Sequence, residues 1–212
     1  MKTFDVAALN AMAKVPRLNL INSITGYKSA NLIGTLSKDG ILNIAIFSSI
    51  THLGSNPALI GLMIRPLATT PRDTYNNIKQ GNYFTVNHIT SAMIADAHHT
   101  SAAYGPEISE FDQTRLEPEF LDGERVPFVK GSPVRLLCKY VNEYAIAENG
   151  CIHLIASIEK IFIQDELLQK ENWVRLDLGD VVTINGLDGY ALPKTIDRFA
   201  YARPDQPTTS IL

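Results

Sequence analysis

The chain has 212 residues, 45% of them apolar and 19% charged, which suits one globular domain and excludes a disordered segment. A net charge of −3 argues against nucleic acid as the main partner, because phosphate neutralisation needs a basic footprint. No apolar run approaches the ~20 residues that span a bilayer, and the N-terminus lacks a signal-peptide core. Cys138 and Cys151 are too few for a disulfide framework or a zinc site. The expectation is a cytoplasmic protein without membrane partners, with residues 1–203 as a single domain and 204–212 as a mobile tail.

Strand signals dominate the first half. Ser29 to Leu36 precedes Ser37-Lys38-Asp39-Gly40, whose Asp-Gly suits a tight hairpin. Ile41 to Ser49 runs back, and Ala58 to Arg65 forms a third strand stopped by Pro66. Together these read as an antiparallel meander, apolar on both faces, as in a barrel wall or a buried dimer sheet. The turn after the second strand, Phe47 to His52, collects three hydroxyls and unpaired backbone N–H groups. It suits a polar ligand, although a surface turn capped by its own hydroxyls is the commoner use of such residues.

The period then changes. A short helix enters after Pro71 and runs from Arg72 to Gly81, with Arg72 and Asp73 at its start. Arg65-Pro66 followed by this arginine at a helix N-terminus is the equipment a phosphate monoester requires, although Asp73 would repel an anion unless it caps the helix, and Arg-Asp at a helix start is also a common structural pair. Asn82 to His88 is a further strand. Thr90 caps a second helix carrying Met93, Ile94 and Ala97 inward, and Glu107 to Leu116 suggests a third. Pro118 to Pro133 reads mostly as loop. Two long strands follow, Pro133 to Ala147 and Cys151 to Ile163, joined around Glu148-Asn149-Gly150. Cys138 and Cys151 are candidate cross-strand neighbours, kept as thiols in a cytoplasm. His98 and His99 are adjacent, so their rings diverge and cannot share a metal. His153 lies mid-strand in an apolar run, either a hydrogen-bonded core residue or a functional group. The expected fold is mainly β with helices.

Several of these runs resemble one family. Asn43 to Pro57, Ala58 to Pro66, Arg72 to Ile78, Gly81 to Asn87 and Cys151 to Glu159, in this order and spacing, are similar to the flavin reductase-like, FMN-binding split-barrel proteins. The resemblance spans roughly residues 20 to 200 and implies a homodimer with FMN in a groove at the subunit interface. It implies that Ala45, Phe47, Ser48, Ser49 and Thr51, with Asn43 beside them, follow the isoalloxazine and ribityl chain. Arg72, Asp73 and Thr74 would hold the phosphate, with Lys28 as a further source of charge. Asn87 would face the ribityl or ring edge, and His153 the nicotinamide side. The implied chemistry is hydride transfer from NADH or NADPH to the flavin N5, with a small-molecule electron acceptor downstream. The alternatives are a non-catalytic FMN-binding split-barrel protein and a purely structural β-barrel dimer. The polar segment from Ala102 to Lys130 either covers the flavin as a lid, the reading its length favours, or packs on the barrel exterior.

Overall fold

The longest stretches of alternating and β-branched residues make the longest strands. The computed structural model describes residues 1–67 and 72–212. Two N-terminal helices, α1 (Val6–Ala11) and α2 (Lys14–Ile24), lead into β1 (Lys28–Ser29) and β2 (Asn31–Leu36). Then come β3 (Leu42–Phe47), β4 (Ile50–Ser55), β5 (Ala58–Ile64), α3 (Asp73–Gly81) and β6 (Tyr83–His88). A 3-10 turn and α4 (Ile94–His99) precede the two-residue strands β7 (Pro118–Glu119) and β8 (Phe128–Val129). The hairpin β9 (Val134–Ile146) and β10 (Cys151–Ile163) follows, and β11 (Thr183–Asn185) and β12 (Gly189–Ala191) complete the strands.

Seven strands form one antiparallel sheet in the order β3-β2-β6-β9-β10-β5-β4. β2 and β3 make the expected hairpin, with Ile33 opposite Ala45. β5, however, does not continue that meander. It pairs with β4 and β10 on the far side of the sheet, with Ile64 opposite Ile152. The chain crosses at Ser48-Ser49, so the expected turn through His52 is mostly strand: Thr51 and His52 already pair with Gly61 and Ile60. Local alternation predicts a strand but not its neighbour, which is where the meander expectation failed.

The sheet wraps round a core of Ile33, Leu62, Phe84, Val86, Cys138 and Leu154, all fully or nearly fully buried. A second cluster on the other face joins Leu32, Ile44, Ile89, Ala97, Phe111 and Val182. Cys138 lies opposite Ile158 and Cys151 opposite Ile146, so the two thiols are not cross-strand neighbours. Thr90 makes no side-chain cap. Residues 107–116 form turns rather than a helix, because Phe111 and Leu116 are drawn singly into the core instead of sharing a helical face. The 102–130 segment is thereby packed onto the sheet and is not a free lid. Gly34 permits this: a Cβ there would lie 2.2 Å from Pro127 O and 2.5 Å from Thr85 Oγ1. The segment also serves the edge strand. Glu110 accepts the N–H of Ile44 at 3.0 Å, and Thr100 Oγ1 accepts that of Ile46 at 2.9 Å. Side chains thus satisfy β3 donors that would otherwise template another strand.

The expected entry residue of α3, Pro71, lies outside the described residues. Residues 204–212, expected as a mobile tail, fold back: Ile211 N–H donates to Arg198 O at 2.7 Å, and Ala200 N–H to Thr209 O at 3.0 Å.

Candidate functional site

The strand register gathers distant residues at one end of the sheet. Ile50 opens β4 opposite Leu62, Ile64 closes β5 opposite Ile152, and Cys151 opens β10. Ser48, Ser49, Thr51, Arg65 and His153 therefore share this end. Ser49 Oγ donates to Met63 O at 3.2 Å and accepts the Met63 N–H at 3.3 Å, replacing a missing backbone rung at the crossing. Ser48 makes no side-chain hydrogen bond among the described residues and stays half-buried. Thr51 is exposed, with its hydroxyl 3.5 Å from Gly61 O.

His153 stands opposite Met63 and Tyr144. Its neighbour Leu154 fills the core, so the imidazole takes the outer face. There it lies against β5: a Cβ on Gly61 would be 2.2 Å from His153 Nε2 and 3.0 Å from Thr51 Oγ1. Neither ring nitrogen has a hydrogen-bond partner among the described residues. The imidazole is thus half-buried on the outer face, beside a threonine hydroxyl that spends its proton on Gly61 O, and both ring nitrogens can meet an external ligand.

Arg72 occupies the position before α3, whose first residue is Asp73. Its Nε is buried and has no partner among the described residues. Burial first, and then the neighbouring Arg65 charge, push the guanidinium pKa down. Among the described residues neither arginine forms an ion pair. A buried Nε without a partner among the described residues, near a second guanidinium and at the N-terminus of a nine-residue helix that Asp73 opens, can receive an anion. Phosphate oxygens fit these donors in type.

Asn43 and Thr74 face each other rather than open space. Asn43 Nδ2 donates to Thr35 Oγ1 and to Thr74 Oγ1, both at 3.1 Å, and Asn77 Nδ2 donates to Thr35 Oγ1 at 3.1 Å. This buried cluster ties α3 to β2 and β3 and so fixes where Arg72 stands. Asn87 is fully buried and fully engaged: Nδ2 donates to Leu32 O and Thr85 Oγ1, and Oδ1 accepts the Val129 N–H. Lys28 spends its ammonium on the carbonyls of Asn22 and Gly186, both at 3.1 Å. Ala45 is half-buried on β3, and Phe47 packs on the barrel core. The structure thus brings Ser48, Ser49, Thr51 and His153 to one sheet end, holds Arg72 and Asp73 at the α3 start, and places Asn87 and Lys28 in structural roles.

Sequence reasoning missed Glu110 as a buried acceptor and His88. Burial holds the His88 imidazole down to about 4. For Glu110, burial pushes the carboxyl pKa up, with Asp73 adding to it against the pull of the Ile44 N–H. Both depend on contacts far along the chain, which no local pattern signals.

A family model described as a flavin reductase like domain matches residues 27–174. Among solved structures, the chain is similar to a protein of Shewanella frigidimarina assigned as a flavin reductase with a split barrel domain. The two are 39% identical with a TM-score of 0.91, covering 95% of this chain and 100% of that one. Nitrilotriacetate monooxygenase component B from Bacillus cereus shares the fold at 20% identity and a TM-score of 0.79, over 93% and 98% of the two chains. An FMN-binding protein from Thermus thermophilus does so at 15% identity and 0.70, over 93% and 100%.

Proposed function

Because the chain belongs to the flavin reductase like domain family, we propose that it is an FMN-dependent oxidoreductase that works as a homodimer. The observation that carries the choice of FMN is Arg72 beside a helix N-terminus, its Nε buried without a partner among the described residues and the Arg65 charge near it. A phosphate monoester supplies the missing charge there. The FMN-binding Thermus protein of the same fold supports the same reading.

In this reading Arg72 holds the phosphate through charge-assisted bonds, and the Asn43–Thr74 cluster keeps its helix in place. Ser48 and Thr51 offer hydroxyls to the polar edge of the cofactor. FMN, when bound, would supply the redox chemistry between NADH or NADPH and a small-molecule acceptor. His153, with its free ring nitrogens beside Thr51, orients the nicotinamide amide and excludes water from that face. No residue here needs to act as acid or base for that transfer. FMN titration of the purified protein tests the cofactor, and loss of absorbance at the flavin band on adding NADH or NADPH without oxygen tests the reaction. A protein that takes up FMN but resists both donors contradicts the oxidoreductase reading.

A further inference from the structure

We infer that Glu143 of β9 is a positioning residue for Arg72: through Tyr75 and Lys79 it sets the roll of α3, and so the direction in which the guanidinium reaches. The inference rests on the FMN reading above and names the residue that orients its phosphate hold.

Helix α3 is held on two faces. Thr74, Asn77 and Ile78 are its buried residues and make the inner face. There Thr74 accepts from Asn43 and Asn77 donates to Thr35. Each residue turns a helix by about 100°. Tyr75 and Lys79, one turn apart, therefore share a second face, roughly a third of a turn from the first. Arg72, three positions before Tyr75 and seven before Lys79, falls on this second face. The inner contacts fix how closely α3 lies on the sheet, and those of the second face fix its rotation about its own axis.

The second-face contacts converge on one carboxylate. Tyr75 Oη donates to Glu143 Oε1 at 3.0 Å, and Lys79 Nζ lies 3.3 Å from Glu143 Oε2. Lys79 Nζ also donates to the Tyr140 hydroxyl at 2.7 Å, so the last turn of α3 is tied to the same strand. Glu143 stands opposite Leu154, a core residue, and directly paired residues share a face of the sheet. Its Oε2 is buried and makes no hydrogen bond among the described residues. For stability alone an apolar side chain of similar size is often as good or better at such a place. An apolar residue could cover Tyr75, but it could not hold a hydroxyl and an ammonium in one direction. Orientation is what the carboxylate adds.

The full-length double variant Tyr75→Phe/Glu143→Leu removes the clamp and leaves no hydroxyl stranded. Isothermal titration with FMN and with riboflavin compares it with wild type and with Glu143→Gln, which keeps an acceptor for Tyr75. In the double variant the FMN dissociation constant should rise about 10-fold or more while riboflavin affinity stays unchanged. Glu143→Gln should recover part of that loss. FMN affinity equal to wild type in the folded double variant overturns the positioning role. An equal loss for FMN and riboflavin overturns it too, since general loosening would act on both. Should the double variant not fold, Lys79→Met decides at the exposed end of the clamp. An FMN dissociation constant raised about threefold or more, with riboflavin unchanged, supports the role, and an unchanged one overturns it. Wild type that binds FMN no tighter than riboflavin overturns the phosphate reading and the positioning role with it, and that outcome is seen without any variant.

Discussion

The imidazole of His153 lies where the side chain of residue 61 would be: a Cβ on Gly61 would fall 2.2 Å from His153 Nε2. Glycine at 61 is thus what lets a histidine from β10 lean across β5 toward Thr51. Replacing Gly61 by alanine should displace the ring and cost ~1–3 kcal/mol, the range for overpacking. In a His153→Ala background the same replacement should cost far less. Urea unfolding of the four proteins measures this coupling, and equal costs in both backgrounds would show that the ring is not held there.

His153→Ala by itself should slow NADH- or NADPH-driven flavin reduction more than it weakens FMN binding. Stopped-flow reduction and FMN titration separate the two. Equal reduction rates would return His153 to a packing role.

Arg72→Ala should weaken FMN binding by ~1.5–3 kcal/mol, the scale of a lost charge-assisted hydrogen bond. Arg72→Lys should recover only part, since an ammonium lacks the guanidinium fork. Isothermal titration with FMN and with riboflavin, which lacks the phosphate, is the check. The Arg72→Ala loss should be confined to FMN.

Asn43→Ala removes the donor shared by Thr35 and Thr74 at the foot of α3. It should destabilise the fold by ~1–3 kcal/mol, the range for leaving buried polar groups unpaired. FMN affinity should fall as well, because Arg72 rides on that helix. A drop in stability with unchanged affinity would separate the cluster from the site.

Two buried groups make opposite demands on pH. His88 titrates near 4 folded and at its ordinary 6.5 unfolded. Its depressed folded pKa gives stability present above 6.5 and lost as pH falls toward 4, about 3 kcal/mol at most. His88→Gln should flatten that acid limb. Glu110 has a raised folded pKa, so its contribution is full below the ordinary carboxylate range and lost as pH rises through the folded value. Glu110→Gln keeps an acceptor for the Ile44 N–H, and its stability relative to wild type should improve with rising pH. Thermal melts from pH 4 to 8, at roughly one-unit steps across these ordinary pKa values, test both signs.

Local information was read correctly at four elements, though not at the Thr90 cap or the helix expected over residues 107–116. The Asp-Gly hairpin, the strand from Tyr83 to His88, the β9–β10 hairpin and the helix from Asp73 to Gly81 are all visible in alternation, turn residues and a terminal glycine. Ser48, Ser49, Thr51 and Arg72 were legible as polar groups at element ends. What failed was pairing at a distance. Nothing near Ala58 says that β5 joins β10 rather than β3, since its alternation fits either neighbour. Asn87 looks like a ligand in sequence because its partners, Leu32 and Val129, are 55 and 42 positions away. Glu110 escaped for the same reason: its Ile44 partner is 66 positions distant. Helix α2 escaped because it carries no amphipathic period to read.

The most direct test is an absorbance spectrum of the purified protein with FMN, taken before and after adding NADH, then NADPH, without oxygen. The account predicts flavin bands near ~370 and ~450 nm that travel with the protein and bleach with one of the donors. A protein that retains no FMN at concentrations well above its own would contradict the account at its centre, leaving the split barrel without the cofactor that Arg72 is proposed to hold.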